Sequence, residues 1–165
     1  MGLQRSNALR SVAVTYTNEQ ARQQILDALA SAAEAAAVAL AELSEAYEHL
    51  DERAAEELEQ LLFSPAQAAY GRARRLHRES AERWTLPTRD FHTPAQVAPS
   101  TAPAELIQRA VRAAEGADTE LAELQDSMLP VEVGDAELRA GIAELRGLLA
   151  RLRPAARELL RTLGR

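Results

Sequence analysis

Between Asn18 and Ser64 the chain contains neither glycine nor proline. One apolar stripe runs through this stretch: Ile25, Leu29, Ala32, Ala36, Leu40, Leu43, Tyr47, Leu50, Ala54, Leu58 and Leu61. Its mean step is 3.6 residues, so the pattern stays in phase on one face of a straight helix. Thr17 with Gln20 has the T-x-x-Q form of a capping box and predicts the start of that helix. The spacing therefore predicts one long helix over 18–62, with a break near His49–Glu52 as the alternative. Alanine fills the first half of the stripe, which lets a partner backbone come close.

Ser64-Pro65-Ala66-Gln67 reads as a helix restart, with Ser as cap and Pro at the first helical position. A second helix is expected to about Trp84, followed by a linker over 85–102 in which Pro87, Pro94 and Pro99 prevent a helix. Pro103 opens a third helix. There Ile107, Ala110, Ala114, Ala117, Leu121, Leu124 and Met128 alternate steps of three and four, a heptad seam. After Leu129-Pro130 and a short turn, Asp135 is the expected N-cap of a fourth helix. That helix carries Leu138, Ile142, Leu145, Leu149, Leu152, Ala156, Leu159 and Leu163. Its period survives Pro154, which predicts a kinked helix.

Residues 1–17 show no helical period and are expected to form a mobile or extended arm. The expected fold is all-α: an elongated bundle of about four helices. Two antiparallel hairpins, 18–84 and 103–165, are joined by a proline-rich crossover. Composition agrees, with 35 alanines and 24 leucines against ten Val and Ile together.

The absence of cysteine excludes disulfides, thiolate metal sites and a cysteine nucleophile. Net charge is −6, which argues against nucleic acid as the main partner. Every basic residue apart from histidine is arginine, a bias typical of bacterial high-GC coding. No run of 18 uninterrupted apolar residues occurs, so no transmembrane segment is expected. No apolar secretory leader is visible either, and a cytoplasmic location follows as the default expectation.

Charge alternates along the chain. Residues 18–62 hold 11 acids against two arginines, while 63–90 and 135–165 each carry +3. Antiparallel helices that pair with each other show such blocks.

Folding the second helix back about Phe63-Ser64 sets Glu52 against Arg75 and brings His49 near His77. With Glu45 one turn before His49, these three form a weak candidate metal or acid–base site. Neither histidine has the Glu-x-x-His spacing of di-metal bundles. Arg72, Arg74, Arg75 and Arg78 form a basic cluster whose simplest role is pairing with the acidic first helix. Trp84, Phe91 and His92 lie at the linker, either as a recognition spot or as pins for the crossover. Arg151, Arg153, Arg157 and Arg161 line an amphipathic C-terminal stretch. It would suit a partner's groove or an anionic membrane, or else its leucines pack on the third helix.

No catalytic motif is present: no G-x-S-x-G, no P-loop, no G-x-G-x-x-G. The sequence supports a non-enzymatic interaction or scaffold module without cofactor. Its partners would be protein, with self-association through the Ala/Leu seams. A ligand- or metal-binding ferritin-like bundle and peripheral membrane binding are the alternatives.

Overall fold

The computed structural model describes residues 17–94 and 96–165 and shows an all-α bundle. Helix α1 is Gly2–Glu48, and the expected arm over 1–17 lies outside the described residues except for Thr17. Thr17 itself is within α1, so it is not the cap that the T-x-x-Q pattern predicts.

The long helix expected over 18–62 does not exist as one piece. The chain reverses at His49-Leu50-Asp51, the alternative break point. His49 N–H bonds to the Ala46 carbonyl at 3.1 Å and Leu50 N–H to that of Tyr47 at 3.3 Å, tightening the last turn. Asp51 then caps the next helix, its carboxylate accepting from the Ala54 N–H at 2.9 Å. The buried stripe lapses at the break, where Tyr47 is exposed and Leu50 half-buried, and resumes at Ala54 and Leu58.

Helix α2 (Glu52–Leu58) passes through a π turn (Glu59–Phe63) directly into α3 (Ser64–Arg83). The expected restart at Ser64 is therefore corrected: Ser64 has helical angles and its N–H bonds to the Glu59 carbonyl. Pro65 lacks an N–H, and its ring crowds the carbonyl four residues back, at Leu61. The widened turn just before it absorbs that conflict without ending the helix.

At the end of α3, Leu86 N–H bonds to the Ala81 carbonyl and Thr85 N–H to that of Glu82. This is a Schellman closure whose left-handed position is occupied by Thr85, at φ 55°, where glycine is usual. A crossover over residues 84–102 follows.

Helix α4 (Pro103–Asp126) begins at Pro103 as expected. It stops short of Met128, which is left-handed and exposed, so the seam ends at Leu124. A short α5 (Leu129–Glu132) leads to α6 (Ala136–Ala150), whose N-cap is Asp135. A break at Arg151 separates α6 from α7 (Leu152–Leu163). It lies where Pro154 would crowd the carbonyl of Ala150, and the buried face continues through Leu149, Leu152, Ala156 and Leu159. The helix expected to continue as one kinked piece past Pro154 is thus two helices that share one buried face.

Cross-helix contacts fix the topology. Arg22 lies over Trp84 and Arg109 pairs with Glu42, so α1 is antiparallel to both α3 and α4. Arg83 pairs with Asp135 and Arg72 with Glu144, so α6 is antiparallel to α3. Arg146 with Asp118, and Arg153 with Glu115, close the α4 hairpin with α6 and α7. Helices α3 and α4 therefore run parallel, and the chain between them must travel back along the bundle. Eighteen extended residues reach about 60 Å, ample for a helix length of about 30 Å.

One core joins both hairpins. It includes Ile25, Leu29, Leu43, Leu58, Leu76, Ile107, Leu121, Leu138, Ile142 and Leu159. The Ala/Leu seams are thus filled within a single chain. By length and composition the Thr17–Glu48 part of α1 could cross a membrane, yet 56% of its most apolar window is buried by the other helices.

Two predictions follow from this packing. A Cβ on Gly141 would lie 2.6 Å from Leu76 Cδ1, so α6 approaches α3 closely only because that position is glycine. Gly141→Leu should destabilise the fold by about 1–3 kcal/mol, and Leu76→Ala should recover part of that loss. Thr85→Gly should stabilise by about 1 kcal/mol by removing left-handed strain. Urea denaturation of each variant checks both.

Candidate functional site

The crossover rests on the outer face of α1 between α3 and α4 and is held at few points. Phe91 is its buried residue, at 8% exposure, and its ring meets His77 edge-on at 5.3 Å between centroids. Arg89 lies over the same ring and pairs with Glu34 of α1. Farther on, the Ala98 carbonyl accepts a 2.8 Å bond from Arg109 Nη2, which also meets Glu42 at 3.0 Å. Ser100 donates its hydroxyl to Glu105.

Between these anchors the strap arches over a cleft of about 740 Å³. One wall is the end of α1, with Leu40, Ala41, Ser44, Glu45 and Glu48. The opposite wall is Phe63, Gln67 and Tyr70, and the strap supplies Thr93 to Pro99. A second recess of about 270 Å³ adjoins it, where Tyr47 and Glu59 meet Ser44, Glu48 and Phe63. The π turn ends in Phe63 and so sets where this wall stands.

The cleft lining carries the carboxylates of Glu45, Glu48 and Glu59 and no arginine. Tyr47 is 43% exposed, one of few large apolar side chains left in solvent. Outside the lining, His49 Nε2 is 3.1 Å from Glu45, and Arg74 stacks on Tyr70.

The structure separates the residues that the helix-2 register would bring together. His49 and Glu45 sit at the α1–α2 turn, while His77 lies 26 residues beyond that turn's Asp51, about 39 Å away at 1.5 Å per residue. Among the described residues no group of three or more His, Asp or Glu converges as a metal set. His77 is instead 4% exposed against Phe91, and its burial holds its pKa below the ordinary 6.5 while nearby Asp27 opposes that shift.

The arginine cluster on α3 does not pair with the first helix as expected. Arg72 meets Glu144 on α6, while Arg74, Arg75 and Arg78 are exposed with no ion pair among those described. Arg83, nearer the end of α3, meets Asp135 and Glu137.

The linker aromatics act as pins: Phe91 is buried and Trp84 half-buried beneath Arg22, whereas His92 is exposed. Of the C-terminal arginines, Arg153 meets Glu115, while Arg151, Arg157 and Arg161 are exposed with no ion pair among those described. The leucine face of α7 is packed inward through Leu152 and Leu159.

Sequence reasoning missed the cleft residues Tyr47, Phe63, Gln67, Tyr70 and Glu59. A usable signal was present: three of the six aromatic residues fall between 47 and 70. The chain matches no family model, no curated protein and no solved structure.

The Glu42–Arg109 pair supports the far anchor of the strap. Glu42 is 6% exposed, so removing its partner leaves a buried charge. Arg109→Met should cost about 3–5 kcal/mol, whereas Glu42→Met with Arg109→Met should lie near wild type. A double-mutant cycle in urea measures both.

Proposed function

We propose that the chain is a non-enzymatic interaction module whose partner site is the cleft beneath the crossover. The observation that carries this reading is the lining itself: aromatic rings and carboxylates together on one open surface. Exposed aromatics with a polar rim are the surfaces that protein partners select. With Glu45, Glu48 and Glu59 unopposed by any lining arginine, the matching partner is a basic segment of another protein. An arginine there would gain a carboxylate contact and a ring face together.

The extended strap already occupies one side of the cleft, which suits a second extended segment more than a helix. Self-association remains part of the reading only through an outer surface, because the heptad seams are used inside the chain. The exposed arginines of α7 are the surface that favours a second, weaker reading as an anionic-membrane contact.

A hexa-arginine probe peptide tests the main reading. Amide shifts in an NMR titration should concentrate at Tyr47, Gln67 and Tyr70. Tyr47→Ser with Glu48→Gln should weaken binding by about tenfold, or 1.4 kcal/mol. Shifts spread evenly along the exposed acids of α2, such as Glu52 and Glu56, would make the binding a general charge effect and overturn the site.

A further inference from the structure

We infer that His77 and Phe91 form a proton-controlled latch that frees the crossover from the bundle on mild acidification. This rests on the cleft reading for its purpose but not for its test.

The geometry carries the argument. Phe91 is the one side chain among the described residues of the crossover that is buried, and it is seated on His77. His77 Nδ1 is buried and has no hydrogen-bond partner. A neutral imidazole tolerates this, because its unprotonated nitrogen needs no acceptor. An imidazolium carries N–H on both nitrogens, so protonation places a charged donor on an atom with nothing to receive it.

The charges around the ring come from each neighbouring element. Asp27 on α1 favours the proton. Arg89 on the crossover, at 5.4 Å from the Phe91 centroid, disfavours a second cation on that ring, and its own partner is Glu34. His92 on the crossover is exposed, as are Arg74 and Arg78 on α3. The acids of α6 are engaged elsewhere, with Arg72 and Arg83. Burial outweighs Asp27, so His77 stays neutral until the pH falls below the ordinary histidine range.

The sign follows. The released state binds the proton more readily than the latched state, so release grows as pH falls through and below about 6.5. The strap is what gives way: α1 and α3 are locked in the core, while the crossover is mostly exposed and held at separated points. Release uncovers the cleft wall at Ser44 and Tyr70.

The chain has no cysteine, so Thr93→Cys gives a single spin-label site on the strap. The spectrum should shift reversibly from restricted to mobile between pH 7.5 and 5, with helical circular dichroism unchanged. A label at Ala143→Cys on α6 should not shift. His77→Gln should abolish the transition, and His92→Gln should keep it. The ring resonance of His77 in the otherwise native chain should titrate at the same midpoint, which tests the latch even where a variant folds poorly. A flat strap spectrum, a transition that survives His77→Gln, one abolished by His92→Gln, or loss of helicity in step with it would overturn the latch. None of these readouts involves the basic probe, so the latch and the cleft stand or fall separately.

Discussion

The alanine face of α1 is the contact on which the other helices depend. Ala30, Ala33, Ala37 and Ala46 join Leu29 and Leu43 in full burial, because α1 is covered from two sides, by α3 and by α4. Small side chains let two backbones approach one helix without either forcing the other away. The same economy recurs where Gly141 admits Leu76 between α6 and α3. With two antiparallel neighbours fixed on α1, α3 and α4 must be parallel, and a long return crossover becomes a geometric necessity. The strap, its anchors and the cleft below it all follow from that.

Local conflicts are accommodated without loss of the core. Pro65 is met by a π turn, Pro154 by the break at Arg151, and a missing glycine by Thr85 in a left-handed position. Each shows tertiary packing overriding a local preference, since the apolar face on either side continues into the same core. Phe63, set by the π turn, thereby reaches the cleft and not the solvent.

The all-α class was legible in the sequence because period and breakers agree over most of the chain. Pro103 as an opening residue and Asp135 as a cap are local signals with local consequences. The reversal was less legible. Proline is the stronger sequence mark, so Ser64-Pro65 outweighed Asp51, although a capping aspartate suffices when the turn is tight. That displacement moved every cross-helix pairing and placed His77 beside His49, when it belongs with Phe91. The cleft was harder to read for the same reason: Phe63, Gln67 and Tyr70 come against the last turns of α1 only once the chain reverses before them.

The distribution of ion pairs gives the surface its direction. Two arginines of α3 are matched across its interface with α6, Arg72 with Glu144 and Arg83 with Asp135. The acids of α1 are matched chiefly where the strap and α4 touch them, through Arg89 and Arg109. What remains unmatched lies in several places, Arg74, Arg75 and Arg78 on the exposed face of α3 among them. Glu48 and Glu59 stand at the cleft, and Arg157 and Arg161 stand on α7. Exposed pairs contribute little to stability, so no folding pressure demands this pattern. Charge left unpaired beside an open aromatic surface does influence which molecules approach and in what orientation. At the cleft end of α1, unpaired acids and aromatic rings share one lining.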